Sequence, residues 1–203
     1  MAGSNEILTI GLAGAIGAGK TTVAKVLASL GCVVSDSDSD ARAALDRKDV
    51  RQTLTEWWGE EVLDDNNKID RRKIAKIVFD DAEQRRRLED LVHPKLHDIR
   101  GERRRDAARE AAPAFVIDAP LLFEAGVDEE CDAVIFVDAP RELRLERVRT
   151  DRGWDEAELD RREQAQLPVE EKKSRASIVV ENDGTLTELR ARVSAALDEI
   201  RAG

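Results

Sequence analysis

The stretch GLAGAIGAGKTT (11–22) decides the fold, because it places a glycine-rich loop between two segments of different periodicity. The residues before it, Ile7 to Ala13, form a short apolar run that is typical of a buried strand. From Lys20 onward apolar residues recur at helical spacing, and Gly31 is suited to end that helix. The stretch is therefore predicted to join a strand to the first turn of a helix.

Residues 14–21 fit the pattern G-x-x-x-x-G-K-[S/T] of a phosphate-binding loop. Glycines let the backbone wrap around a phosphate with its N–H groups inward, and a helix N-terminus adds partial positive charge. Lys20 would reach the β- and γ-phosphates of a nucleotide, and the Thr21 hydroxyl would ligate Mg²⁺. A glycine-rich turn with a chance lysine is the alternative, but the strand–loop–helix context favours the nucleotide site. The predicted nucleotide-binding residues are Gly14, Ala15, Ile16, Gly17, Ala18, Gly19, Lys20, Thr21 and Thr22.

Four further apolar segments predict strands, and helical patterns separate them. They are CVV (32–34), FVID (115–118), AVIFVD (133–138) and SIVVEN (177–182). Nearly all-apolar strands alternating with helices indicate a parallel sheet covered on both faces. We predict an α/β fold, a P-loop NTPase three-layer sandwich with a five-stranded parallel sheet. The single domain 1–203 would carry a helical insertion at about 41–112 and a mobile lid at about 141–175.

Composition narrows the class of protein. The chain has 33 basic and 43 acidic residues, a net charge of −10, which argues against a general nucleic-acid binder. No apolar stretch approaches the roughly 20 residues that span a membrane, and the N-terminus does not resemble a signal peptide. Cys32 and Cys131 share no metal or redox spacing and are interpreted as ordinary thiols.

We expect a cytoplasmic protein without membrane or nucleic-acid partners. A monomer is the default, and an oligomer through the helical insertion is left open.

Carboxylates follow two of the predicted strands, where a parallel sheet places its ligand crevice. Asp36 and Asp38 come after the second strand, and either could take a proton from an acceptor hydroxyl; capping of the next helix is an equal alternative. Arg42, one helical turn further, could clamp an anionic substrate. Asp118, at the end of the third strand, could hold Mg²⁺ through water or be a polar strand end.

One motif is interpreted as accidental. Asn67-Lys68-Ile69-Asp70 matches the guanine-reading pattern N-K-x-D of GTPases, but it does not follow a late buried strand. Asp70 is predicted instead to cap the helix that begins after it. Thr185 and Glu188 form a capping box that predicts the last helix.

Taken together, these segments resemble the dephospho-CoA kinase family over nearly the whole chain. The resemblance is carried by GLAGAIGAGKTT, LGCVVSDSDSDAR, Trp58-Gly59 with KIDRRKIAKIVFDD, LVHPKL (91–96), APLLFE (119–124) and VVENDG (179–184). Each is weak by itself, and all of them in order are specific. The resemblance implies that ATP phosphorylates the 3′-hydroxyl of the ribose of dephospho-CoA, giving CoA and ADP.

The resemblance also implies roles for individual residues. Asp38 would be the base or the carboxylate that orients the acceptor, with Lys20 at the phosphates. A lid arginine would stabilise the transferring phosphoryl group. A one-residue shift against the family pattern makes Arg152 the first candidate; without the shift Arg147 and Arg149 compete, and Arg147 is the second candidate. The remaining residues would contact the substrate (Asp36, Arg42, His93, Pro120, Leu121, Leu122 and Glu124) or the adenine (Asn182, Asp183 and Gly184). Without the resemblance, His93 before Pro94 is interpreted as an ordinary histidine at a helix break.

The sequence departs from the family pattern in the loop and leaves two other functions to consider. Ala15 stands where the family usually has glycine, which would alter activity if that position needs a positive φ. A P-loop kinase acting on a nucleoside, nucleotide or small alcohol would share the loop and the lid. A nucleotide-binding switch or assembly ATPase would hydrolyse ATP slowly, without any response to dephospho-CoA.

Overall fold

The structure is a computed structural model, and it describes residues 7–203. The described chain divides into two compact units. The first, which we name the sheet unit, comprises the residues up to Asp36 together with Arg105–Gly203. The second, the helical unit, is Ser37–Arg104. The helical unit therefore begins four residues earlier and ends eight residues earlier than the predicted insertion, 41–112.

The predicted five-stranded parallel sheet is confirmed, and it lies in the sheet unit. Its strand order is β2-β3-β1-β4-β5, and every pair is parallel. Two strands have the bounds that the sequence predicted, whereas β1 begins two residues late and takes in Gly14 as its last residue. The strands are β1 Thr9–Gly14, β2 Val33–Asp36, β3 Phe115–Asp118, β4 Ala133–Asp138 and β5 Ile178–Glu181.

Nine α-helices occur among the described residues, and several begin or end as local signals predicted. Asp70 accepts a hydrogen bond from the Arg72 amide, so it is the predicted cap and not a base-reading residue. Thr185 and Glu188 form the capping box. The helices are α1 Lys20–Ser29, α2 Ser37–Leu45, α3 Lys48–Trp58, α4 Arg71–Phe79, α5 Ala82–Arg109, α6 Arg141–Arg152, α7 Glu156–Gln164, α8 Val169–Arg175 and α9 Leu186–Ala202.

The core of the sheet unit forms around its central strands. The residues of β3 are all buried, as are five of the six residues of β1. A parallel sheet that is covered on both faces produces this pattern, because neither face reaches water. Gly11 in β1 leaves room for a neighbouring side chain, since a Cβ there would lie 2.9 Å from the Leu122 side chain. Within residues 7–203, no helix is long and apolar enough to cross a membrane.

The helical unit has its own apolar core and an interior ion pair. Asp40 is fully buried in α2 and pairs with Arg103 and Arg100 of α5. α5 runs for 28 residues and contains Pro94 in its interior. The sequence analysis treated His93 and Pro94 as a helix break, and that prediction is wrong. A proline removes one hydrogen bond and kinks a helix, but a long helix can continue beyond it. The buried residues that form the core cluster of this unit are Leu45, Val50, Leu54, Val62, Ile69 and Ile74.

Candidate active site in the sheet unit

The phosphate loop is the connection between β1 and α1. Gly17 and Gly19 have left-handed backbones, with φ of 78° and 92°. These angles are accessible to glycine at no steric cost, which explains why the loop needs glycine at both positions. Gly19 is the N-cap of α1, and no side chain caps that end of the helix. The helix therefore presents a partial positive charge that no side-chain cap offsets, the arrangement that binds phosphate.

The loop is packed tightly onto its own unit. The Ala15 amide donates to the Val137 carbonyl over 3.0 Å, and both Ala15 and Ala18 are buried. Ala15 has no positive φ, so the substitution of the family's glycine does not strain the backbone. A Cβ at Gly14 would lie 2.9 Å from the Val137 carbonyl oxygen, which leaves no space for a side chain there.

Lys20 and Asp118 form an ion pair beside the loop. The Lys20 ammonium contacts Asp118 Oδ1, and the two side chains are 18% and 12% exposed. Asp118 ends β3, and Asp36, which ends β2, is its partner in the parallel register. Two carboxylates therefore end neighbouring strands at the carboxyl edge of the sheet, as the sequence predicted. Thr21 lies in the first turn of α1 and is exposed.

Helix α6 brings Arg147, rather than Arg152, to the phosphate loop. The Arg147 guanidinium donates to the Ala18 carbonyl over 3.2 Å and to the Asn182 carbonyl over 2.9 Å. Arg152 lies at the exposed end of the same helix, with its guanidinium carbon 4.6 Å from the centre of the Trp154 ring. Of the two predicted lid arginines, Arg147 is thus the one that contacts the loop.

The segment after β5 also contacts the loop. The Asn182 side chain is buried and donates from Nδ2 to the Ala18 carbonyl over 2.7 Å. Asp183 is exposed and pairs with Arg192, whose hydrogen bond holds the pKa of the Asp183 carboxyl below its ordinary value. Gly184 lies against the Glu188 carboxylate of the capping box, so a Cβ at this position would overlap it. Asn182 is therefore the member of this predicted group that the structure brings to the loop.

The predicted substrate wall at Pro120–Glu124 divides into exposed and packed residues. Pro120 and Leu121 are exposed. Leu122 is fully buried in the core of the sheet unit, so its side chain cannot form part of a substrate wall. Its predicted role is corrected on that ground, because a core side chain has no free surface for a ligand.

Glu124 is bonded to the lid segment. Its carboxylate accepts from the Lys172 ammonium over 2.6 Å and from the Leu167 amide over 3.0 Å. Burial by itself would raise the pKa of Glu124, but the hydrogen bonds from Lys172 and Leu167 outweigh it and hold the pKa below its ordinary value. Lys172 is buried and also donates to Gln166. The predicted substrate residue is thus an anchor for the connection between α7 and α8.

The other predicted substrate residues belong to the helical unit. Asp38 lies in the first turn of α2 and is exposed, two residues beyond Asp36 along the chain. Arg42, one turn further along α2, is exposed. His93 is exposed in the middle of α5. Because Arg42 and His93 are exposed, their side chains can reach an anionic ligand.

The comparisons with known proteins decide the family. A family model described as dephospho-CoA kinase matches residues 8–188. The chain belongs to the dephospho-CoA kinase family. It is similar to the dephospho-CoA kinase of Geobacter sulfurreducens, with 37% identity over 185 residues that cover 91% of this chain and 94% of that protein.

Solved structures agree with this membership. The fold is similar to a crystal structure from Thermus thermophilus, with a TM-score of 0.79 and 37% identity, covering 96% of this chain and 98% of that one. It is also similar to the dephospho-CoA kinase from Campylobacter jejuni, with a TM-score of 0.64, 25% identity and the same coverage of 96% and 98%. The motifs that carried the resemblance all lie within the span of the dephospho-CoA kinase family model.

Sequence reasoning missed three charged residues that shape this site or its supports. Arg144 is buried one helical turn before Arg147 and also bonds to the loop. Lys172 holds Glu124, and Asp40 anchors α2 to α5. The spacing of Arg144 and Arg147 was a usable signal, because residues three apart share a helix face. No sequence signal marked Lys172 or Asp40 as buried.

Proposed function

We propose that the chain catalyses the reaction of its family: transfer of the γ-phosphoryl group of ATP to the 3′-hydroxyl of the ribose of dephospho-CoA, giving CoA and ADP. The observation that carries the proposal is the phosphate loop with its Lys20–Asp118 pair, in a chain that the dephospho-CoA kinase model matches over residues 8–188. Kinases of this fold contribute little covalent chemistry of their own, so positioning and charge stabilisation are what its residues must supply.

The nucleotide would bind with its phosphates in the loop. Amides of Ile16, Gly17 and Gly19 and of the start of α1 would bind the phosphate oxygens, because this end of the helix has no side-chain cap and the amides of Ala15 and Ala18 already donate to carbonyls. Lys20 would leave Asp118 in part and contact the β- and γ-phosphates. Asn182 and the exposed Asp183 and Gly184 would lie towards the adenine, since Asn182 is already bonded to the loop.

The residues present fit a nucleotide-bound Mg²⁺ rather than a dedicated metal cage. The described residues contain no group of three or more metal-ligating side chains. Magnesium in kinases is usually held by one or two protein groups together with phosphate oxygens and water. Thr21 and Asp118 are the residues that would hold it, with Asp36 as the neighbouring carboxylate. When bound, the ion would neutralise charge on the phosphates.

The acceptor hydroxyl would be handled by the acidic segment at the start of α2. Asp38 would accept the proton of the 3′-hydroxyl as that oxygen attacks the γ-phosphorus, with Asp36 beside it in the chain. Arg42 and His93 would bind anionic or polar parts of dephospho-CoA, and Pro120 and Leu121 would contact it by apolar surface. Their exposure supports these assignments.

Arg147 is the arginine that we assign to the transferring phosphoryl group, ahead of Arg152. Its guanidinium already contacts the Ala18 carbonyl at the loop. Leu122 is left out of the substrate site because it is fully buried. A single chain as the working form and a cytoplasmic location stay predictions.

The test is a coupled ADP-release assay with purified protein, ATP and Mg²⁺. We expect ADP release with dephospho-CoA and little release with pantetheine or nucleosides. Faster release with a nucleoside would favour another small-molecule kinase. Slow hydrolysis that does not respond to any acceptor would favour a nucleotide switch, and either result would reject the proposal.

The role of Asp38 is tested by Asp38→Asn, with Asp46→Asn as the matched control. Both aspartates are exposed and lie in the helical unit, and Asp46 directly follows α2. Loss of a general base costs about a hundredfold or more in rate. We therefore expect kcat of Asp38→Asn to fall by about that factor while the Kd of ATP stays unchanged, and Asp46→Asn to behave as wild type. Full kcat in Asp38→Asn would reject this residue as the base.

A further inference from the structure

Arg144 is a buried arginine with three acceptors around its guanidinium. It is 6% exposed and lies in α6. Its Nε donates to the Ala139 carbonyl and its Nη1 to the Ile16 carbonyl, each over 3.1 Å. The same Nη1 forms an ion pair with the Glu163 carboxylate. A buried charge of this kind is stable only when such partners surround it.

The contact with Ile16 fixes the direction of a loop amide. In a planar trans peptide the carbonyl oxygen and the following N–H point in opposite directions. When Arg144 holds the Ile16 carbonyl, the N–H of Gly17 therefore points away from α6. Arg144 thus holds a carbonyl on the outer side of the loop and leaves the Gly17 amide on its inner side.

The position of the Arg144 side chain is itself fixed by helix α7. Glu163 in α7 accepts from Arg144 and, over 3.1 Å, from Arg141 Nη1. Its side chain is 21% exposed, which is less than that of Asp160 or Glu156, the other two acids that pair with Arg141. Glu163 therefore links the lid segment to the loop through one guanidinium. A movement of α7 would act on the Ile16 carbonyl through this pair.

We propose that Arg144 is a positioning residue that directs the Gly17 amide towards the phosphates of the nucleotide, and that Glu163 of α7 sets the orientation of its guanidinium. The inference rests on the proposed function, because it assumes that the loop binds ATP. Arg144 and Glu163 were not among the predicted site residues. They would act on nucleotide binding through the loop, without contacting the substrate.

The first test compares Arg144→Met and Arg144→Lys with the control Arg161→Met. Arg161 is an exposed arginine of α7 paired with Glu158. Hydrogen bonds to charged groups are worth about 1.5–3 kcal/mol, so Arg144→Met should raise the Kd of ATP about tenfold or more. Arg144→Lys should lose nearly as much, because an ammonium cannot serve the three acceptors with the planar fork of arginine. Arg161→Met should match wild type. ATP affinity near wild type in Arg144→Lys would mean that only the charge matters, and would overturn the proposal.

The second test is a double-mutant cycle with Glu163→Ala. If Glu163 acts on the loop only through Arg144, the double variant Arg144→Met/Glu163→Ala should bind ATP no more weakly than Arg144→Met alone. The KM for dephospho-CoA should change less than twofold in each variant. Additive losses of ATP affinity would show that Glu163 acts independently, which would overturn the link between α7 and the loop.

A third measurement needs no nucleotide and separates this inference from the proposed function. In wild-type protein the ¹⁵N order parameter of the Gly17 amide should have the value of a rigid backbone, about 0.85. It should fall below that value in Arg144→Met and keep it in Arg161→Met. A merely structural role would lower the thermal midpoint without a selective change at Gly17, and that result would overturn the inference. If wild-type protein bound no ATP, the proposed function would fall, and with it the claim that the amide serves a phosphate.

Discussion

The contact between Gly17 and α6 leads to a prediction whose magnitude can be worked out. A Cβ at Gly17 would lie 2.7 Å from the Arg144 carbonyl oxygen and 3.0 Å from Val148 Cγ1. That oxygen belongs to the backbone of α6 and cannot turn aside as a flexible side chain would. Gly17→Ala must therefore push the loop away from the helix or hold it in strain.

Two costs add up in Gly17→Ala. A left-handed backbone costs an alanine about 1–2 kcal/mol, and overpacking against fixed neighbours costs about 1–3 kcal/mol. Gly153→Ala is the matched control, because Gly153 has a similar φ of 68° but nothing within 4 Å of its Cβ position. The control should lose only the first cost. We expect the free energy of unfolding to be lower in Gly17→Ala than in Gly153→Ala by about 1–3 kcal/mol.

Urea unfolding measures that difference, and ATP titration measures its consequence for the site. Gly17→Ala should bind ATP at least tenfold more weakly, since a loss of about 2 kcal/mol in binding free energy raises the Kd by more than a factor of ten. Gly153→Ala should bind ATP as wild type does. Equal stability of the two variants, together with unchanged ATP affinity in Gly17→Ala, would refute the contact between the loop and α6.

Three further outcomes are expected. Lys20→Ala should lower kcat/KM about a hundredfold or more, because the substitution removes the ammonium group that pairs with Asp118 and would contact the phosphates. A smaller loss in the ADP-release assay would contradict the assignment. Lys172→Met should raise the fraction of protein that a protease cleaves in the lid segment within a fixed time, since Glu124 then loses its charged partner. Equal cleavage of the variant and the wild type would argue against the anchor. The folded-state pKa of Glu124 is lowered, so its contribution to stability is present above its ordinary pKa of 4.5 and is lost as the pH falls through the lower value. Urea midpoints of wild type and Glu124→Gln should therefore differ at pH 7 and converge in acid, and a constant difference would refute the pair.

The sequence was most informative where local pattern and tertiary environment agree. β3 and β4 are apolar up to the aspartate that ends each strand, and their interiors are buried, so their bounds follow from local composition. The loop was recognised from the pattern G-x-x-x-x-G-K-[S/T], and the left-handed φ of Gly19 gives the physical reason for the second glycine of that pattern. Asp70 was identified as a cap, because a cap is a short-range signal.

Long-range contacts account for what the sequence could not supply. Leu122 and Glu124 are neighbours in one motif, yet the first enters the core and the second binds a lysine 48 positions later. No periodicity within the motif distinguishes them. Arg147 and Arg152 lie five residues apart on α6 and therefore face different sides of the helix, and a one-residue ambiguity in alignment is enough to exchange them. Pro94 was judged by its local effect, whereas α5 extends far enough on both sides to continue through it.

The strand order also has a consequence for the biosynthesis of the chain. β1 pairs with β3 and β4, which end at Asp118 and Asp138, while β2 pairs only with β3. The first two strands to leave the ribosome are therefore not neighbours and have nothing to pair with until residue 115 is made. The loop at the end of β1 cannot reach its final shape during the first 138 residues of translation, because Val137 is part of its support. Pairing over such sequence separations must overcome loop-closure entropy before it is rewarded, so the sheet is expected to form slowly and to leave the apolar β1 unpaired in a half-made chain.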